Sequence, residues 1–400
     1  MILGACTWST AALAMSDELG TLEERPLVVY LADQLIYSDN LFRLSEAQPI
    51  ADEFVAQGAE REDYANRISA GLRAKVDNSR QSFALDLRGS DVQFRHADYL
   101  DHTAGHADLQ WRWQFGNAWS GKITGEYDHA LASLANYRYF GRDIVDTYAY
   151  SGELEYRIGA RWALSAGGRA ARTTHSAEDR RLNDFESEAA TLTLAYITPS
   201  ENRLALEYRY TAAKFPREAL ATSLTSPQYD ESIARLRLHY AFSRKTSLEA
   251  SAGYLRRDSE SLRSIEFSGT IGRVSLEWQP REQFGLSISA WHELRAYVDA
   301  ESDYFLSDGF AAGPIWKPLR KLSVRLLYSY EDQDYVGNPA LASSDAERRD
   351  RVRSARAIVS YHPVRNLLLN LSWVRESRSS NRELQGFEAE LAGAEVRLLF

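Results

Sequence analysis

The chain has 400 residues, with 47 Lys and Arg against 56 Asp and Glu, for a formal net charge of -9. Hydrophobic residues are 44% of it and charged residues 26%, a balance that excludes a disordered chain. No run approaches the roughly 20 apolar residues that a membrane-spanning helix needs, and no basic block points to nucleic acid. Twenty-two Tyr and nine Trp beside ten Pro and two Met suit strands with aromatic girdles at two membrane interfaces.

In chain order, residues 1–14 end in Ala12-Leu13-Ala14 and read as the tail of a signal peptide without its basic start. The lone cysteine, Cys6, can form neither an internal disulfide nor a metal cluster. Residues 15–400 read as one outer-membrane β-barrel domain. Leu27 to Tyr37 is apolar enough for a first strand. From about Tyr64 to Glu376, runs of period two alternate with eight short connections, among them Asp77-Asn78-Ser79, Phe115-Gly116-Asn117-Ala118 and Thr198-Pro199-Ser200-Glu201. The later connections share an aromatic residue, a polar residue and Pro, as in Trp278-Gln279-Pro280, Trp316-Lys317-Pro318 and Tyr361-His362-Pro363. Proline at these points predicts the turns themselves.

The flanking runs put apolar residues on one face and charges on the other. Leu204, Leu206, Tyr208 and Tyr210 oppose Arg203, Glu207 and Arg209; Leu236, Leu238, Tyr240 and Phe242 oppose Arg235, Arg237 and His239. A helix would scatter each set around its circumference. With a last strand over Phe387 to Phe400, the expected fold is a single closed antiparallel transmembrane barrel of eighteen strands, with sixteen as the alternative. An even number places both ends on the side of the tight turns, and closure removes the sheet edges that lipid would not tolerate. Trp119, Trp162, Trp278, Trp316 and Trp373 are expected near strand ends as interface anchors.

Val396-Arg397-Leu398-Leu399-Phe400 resembles the terminal signal read by the outer-membrane assembly machinery, with Phe400 as its last residue. After the first strand, Asp39-Asn40-Leu41-Phe42-Arg43 resembles the segment that opens the EpsL-like family of Gram-negative outer-membrane barrels, also described as β-barrel porins. That resemblance implies a role in synthesis or export of exopolysaccharide. It implies as partners outer-membrane lipid and lipopolysaccharide, the assembly machinery, periplasmic polysaccharide-export proteins and an anionic polysaccharide. A selective or general porin for small solutes is the alternative, with an accessory scaffold barrel as a third reading. A large inward-folded loop would favour the porin.

With the apolar faces toward lipid, the lumen carries charges of both signs. They read either as a cross-strand ion-pair lattice or as a path whose arginines hold anionic groups by paired hydrogen bonds. The candidates for the path are Arg203, Arg209, Arg235, Arg237 and Arg325, with Glu207 among them and Trp291 as a ring on the polar face. Tyr137, Tyr139 and Phe140 lie in a loop that could fold inward. No catalytic function, cofactor or metal is expected: His96, His102 and His106 cluster with Asp98, Asp101 and Asp108 without a diagnostic spacing. There is no Gly-x-Ser-x-Gly elbow and no His-Glu-x-x-His motif.

Overall fold

The computed structural model describes residues 26–134, 139–215, 228–259, 266–296, 304–336 and 348–400; the expected signal segment and Cys6 lie outside them. Eighteen strands follow one another. They are β1 (Leu27–Ser38), β2 (Asp63–Asn78), β3 (Gln81–Phe94), β4 (His102–Phe115), β5 (Trp119–Leu131) and β6 (Ile144–Ile158), then β7 (Trp162–His175), β8 (Phe185–Ile197), β9 (Arg203–Lys214), β10 (Gln228–Ser243), β11 (Thr246–Asp258) and β12 (Phe267–Arg281). The last six are β13 (Phe284–Ala296), β14 (Tyr304–Leu319), β15 (Leu322–Val336), β16 (Arg349–Val364), β17 (Leu367–Ser380) and β18 (Phe387–Leu399). Each pairs antiparallel with its sequence neighbours, and β1 pairs with β18, so the sheet is a closed eighteen-stranded transmembrane barrel. It belongs in the outer membrane, where a closed sheet is the only strand architecture that leaves no unpaired edge in lipid.

The seam runs from Tyr30↔Leu399 to Ser38↔Leu391. Its last rung is made by Phe400, whose N–H donates to the Val29 carbonyl at 2.8 Å while its carbonyl accepts from the Val29 N–H at 3.4 Å. The register of β18 turns Ala392, Ala394, Val396 and Leu398 outward, and Leu391, Glu395, Arg397 and Leu399 are buried on the inner wall.

Four of the tight turns require a left-handed residue. Gly116 (φ 60°) and Gly159 (φ 65°) supply it without strain, whereas Ser79 (φ 55°) and Glu201 (φ 62°) adopt it with a side chain. Pro280, Pro318 and Pro363 depart from expectation. Each is the penultimate residue of its strand rather than part of the turn. There the ladder breaks register, between Trp278 and Arg281, Trp316 and Leu319, and Tyr361 and Val364. A bulge is the position in a paired strand where the missing N–H of proline costs no rung. The residue before each proline donates instead to the next turn: Gln279 to the Lys245 carbonyl, Lys317 to Gln283 and His362 to Lys321, at 2.7–2.8 Å. Lys245 and Lys321 return the bond through Nζ to the carbonyls of Pro280 and Pro363, at 2.9 and 2.6 Å. The periplasmic rim is therefore tied turn to turn.

Outward aromatic residues form two bands. Trp119–Tyr156, Trp162–Tyr196 and Tyr240–Phe242 lie near the tight turns, and Tyr37–Tyr64, Tyr127–Tyr148 and Phe310–Tyr330 near the long loops. Trp373 is an exception to the expected placement. It faces outward in the middle of β17, opposite Ala357 and Ala392, because that strand runs on to Ser380. Between the bands the outer face is apolar. Val274 sits at the centre of β12 and is 45% exposed toward lipid. Val274→Arg should lower the unfolding free energy by about 2–4 kcal/mol, the cost of a cation at the bilayer midplane, measured by urea titration in lipid vesicles.

Candidate functional site in the barrel lumen

The first structure at the extracellular mouth is built by the segment just after β1. Asn40 is buried, and its Nδ2 donates to the carbonyls of Leu44 and Glu388, both at 2.8 Å, while its Oδ1 accepts from the Leu44 N–H at 2.9 Å. Asp39 accepts from the Glu390 N–H at 2.7 Å. Arg43, in the left-handed region at φ 54°, donates to the carbonyls of Asn40 and Leu41 and reaches Glu376 at 3.3 Å. Asp39, Asn40 and Arg43 thus clasp the first loop onto β17 and β18, across the seam. Leu41 and Phe42 point the other way, into an apolar cluster with Leu44, Ala65, Val92, Phe94, Leu100 and Leu134.

Ala65, Val92 and Phe94 lie on the inner wall of β2 and β3, so the first loop packs against the inside of the mouth. A single helical turn, Asp52–Val55, brings Phe54 against Phe140 (5.6 Å) and Tyr99 (5.9 Å), and Phe42 meets Phe140 at 5.2 Å. Tyr99 donates to the Phe140 carbonyl at 2.9 Å. Three loops therefore share one apolar lid, through residues 39–62, 95–101, 132–134 and 139–143. Of the loop residues that could fold inward, Phe140 packs into this lid, and Tyr137 lies outside the described residues. Tyr139 donates to Asp179, and burial together with that bond pushes its hydroxyl up to about 12. Asp143 accepts from the Ser176 and Ala177 amides of the next loop, and its burial drives the carboxyl above the ordinary carboxylate range.

Below the lid, on the far side of the ring, β9 to β15 carry a descending series of arginines. Arg295, near the top of β13, pairs with Glu331 at 3.0 Å. Arg273 on β12 makes a two-pronged bond to Glu293, at 2.9 and 2.8 Å. Trp291 stands between them, with Arg273 and Arg295 5.1 and 5.4 Å from its ring, and it donates to Ser307, which donates to Glu331. Further down, Glu207 is 2% exposed and is met by three cations: Arg235 at 2.5 Å, Arg237 at 2.9 Å and Arg209 at 3.6 Å. One buried carboxylate among three guanidiniums leaves an excess of positive charge facing the lumen.

The structure thus brings Arg209, Arg235, Arg237 and Glu207 together, and turns Trp291 inward three strands away from β10, between Arg273 and Arg295. Arg203 goes elsewhere: it reaches Glu155 on β6 at 2.8 Å, over the small side chains of Ala163, Ala195 and Ala205. Arg325 lies on the same face of β15 as Glu331 but six residues nearer the periplasmic turn. Sequence reasoning passed over Arg273, Glu293 and Arg295, although for Arg273 the alternation with outward Gly272, Val274 and Leu276 carried the signal. The histidine cluster dissolves: His96 faces Asp63, His102 bonds the Leu100 carbonyl, His106 pairs with Asp128, and Asp101 caps the Phe94 amide. Among the described residues no group of His, Cys, Asp and Glu has metal-holding geometry.

Residues 235–400 match a family model described as "Putative beta-barrel porin 2". No curated protein sequence matches the chain. Among solved structures the barrel is similar to OccK2 (OpdF) of Pseudomonas aeruginosa, at 14% identity and a TM-score of 0.51, over 94% of this chain and 98% of that one; OccK2 is also known in complex with glucuronate. It is similar as well to a BenF-like porin from Pseudomonas fluorescens Pf-5, at 10% identity and a TM-score of 0.52, over 94% and 99%. The chain is an outer-membrane β-barrel with the fold of these porins.

These findings correct the expectation of an exopolysaccharide export barrel. The likeness to porins spans nearly the whole chain. The Asp39–Arg43 segment that suggested export is accounted for by its work as the clasp and apolar anchor of the lid. Three hydrogen bonds converge on Asn40, each worth about 0.5–1.5 kcal/mol net. Asn40→Ala should therefore loosen the lid, and limited proteolysis of the folded barrel should cut within residues 45–62 at least about tenfold faster, as a loss of 1.4 kcal/mol or more implies.

Proposed function

We propose that this barrel is a diffusion channel for small solutes bearing carboxylate groups. The observation that carries the reading is the trio of Arg209, Arg235 and Arg237 around the single buried Glu207. The carboxylate holds the guanidiniums in place, and the surplus charge is free to draw an anion along the wall. Arginine suits this task because its planar fork matches a carboxylate and its charge persists at any physiological pH.

Trp291 adds a flat apolar surface between Arg273 and Arg295, on which the ring of a small sugar acid or aromatic acid can lie. The lid narrows the opposite side of the mouth, which favours selection among small solutes over passage of a long chain. An eighteen-strand wall is wide enough to keep an aqueous path beside it. The glucuronate complex of the similar OccK2 supports a carboxylated solute of this size.

In a planar bilayer under a potassium chloride gradient, the protein should show anion-selective currents that glucuronate transiently blocks. The variant R209Q/R235Q/R237Q should lose most of that selectivity and most of the block. Cation-selective currents, or silence from demonstrably folded barrels, would sink the proposal.

A further inference from the structure

The Glu207 staircase leaves unexplained a second set of cations on the other side of the ring. β2 and β3 stand nine strands from β11 and β12 in either direction around the eighteen-strand barrel. Arg67 of β2 and Arg88 of β3 border one cavity beneath the lid, together with Ser90, His102 and Asp128. Its volume of about 30 Å³ has room for two waters, at the roughly 10–15 Å³ each requires. Arg67 and Arg88 flank the cross-strand hydroxyl pair Ser69–Ser90, whose oxygens are 2.9 Å apart: Arg67 is two residues above Ser69, and Arg88 two below Ser90.

Arg67 is only 9% exposed, and its Nε has no hydrogen-bond partner. Neither Arg67 nor Arg88 forms an ion pair among the described residues, and the nearby carboxylates are each engaged elsewhere. Asp86 pairs with Arg73 at 2.6 Å, Glu395 with Arg397 at 2.8 Å, and Asp128 with His106 at 2.7 Å. Asp63 accepts from the amides of Tyr64, His96 and Ala97. A cation this deeply buried without a paired carboxylate is strongly disfavoured unless an anion joins it. His102 is committed through Nδ1 to the Leu100 carbonyl. Two arginines and a serine hydroxyl are the donors that a small oxyanion accepts.

We infer that Arg67, Arg88 and Ser90 form an oxyanion-binding site beneath the extracellular lid, built for a carboxylate or phosphate group. The identity of the anion as a carboxylate of the transported solute rests on the proposed function, whereas binding itself requires no current. The lid stands directly over the site, since Val92 and Phe94, which also border the cavity, belong to the lid cluster.

The test uses the full barrel folded in detergent micelles, in the R209Q/R235Q/R237Q background, so that the staircase cannot answer for the site. Acetate is titrated and read by the 13C linewidth, then inorganic phosphate by 31P. Saturable broadening is expected, weakened at least about tenfold by Arg67→Gln and by Arg88→Gln, and largely retained by Arg67→Lys, which keeps the cation. Heat-modifiable migration on gels establishes that each variant is folded. Tighter acetate binding assigns the site to solute carboxylates, and tighter phosphate binding assigns it to phosphate monoesters; either sustains an oxyanion site. Equal broadening in folded wild-type-at-67 and R67Q/R88Q barrels would overturn it. Conductance is measured separately, so a silent or cation-selective pore would defeat the channel reading without touching this result.

Discussion

Hydrocarbon offers no hydrogen bond to a peptide group, and this one constraint organises the molecule. Every strand must find both neighbours, so the sheet has to close, and the closing rung between Val29 and Phe400 is the condition on which the other seventeen pairings depend. Closure then fixes an inside and an outside for each residue, because side chains alternate along a strand. The outer face is left with Val, Leu and aromatic residues. The inner face can hold charges, since water reaches it.

A charged inner wall raises its own requirement: each guanidinium must be held somewhere. Along β9 to β15 this is met by carboxylates placed one or two strands away, as in Arg273 with Glu293 and Arg295 with Glu331. At Glu207 the numbers are unequal by design of the strand sequence, three cations to one anion, and the surplus faces the lumen. On β2 and β3, no carboxylate among the described residues pairs with Arg67 or Arg88.

Much of this was legible in the sequence, for a physical reason. Period-two alternation is a local property, so Arg209, Glu207, Arg235 and Arg237 could be assigned to one wall from the apolar residues between them. The even strand count and the closing β18 followed from the same alternation. What was misread depended on contacts between distant segments. Pro280, Pro318 and Pro363 look like turn residues until the bulged ladder is seen. Arg203 looks like a neighbour of Arg209 until small alanines let it cross to Glu155. Asp39–Arg43 carries no period, and its role as a clasp becomes visible only when Glu388 and Glu390 arrive from the other end of the chain.

That last contact joins the two ends of the argument. The residues that follow β1 are held by the residues that begin β18, so this clasp forms only with the barrel closed: an open sheet has no Glu388 carbonyl beside Asn40. The apolar face of Leu41 and Phe42 rests instead on β2 and β3, which the chain supplies locally. A mouth built this way narrows the side of the pore nearest the seam, while the arginine staircase stands nine strands away. The position of the lid is therefore a consequence of where β1 and β18 meet in the ring, and the charges of β9 to β13 face it from across the lumen.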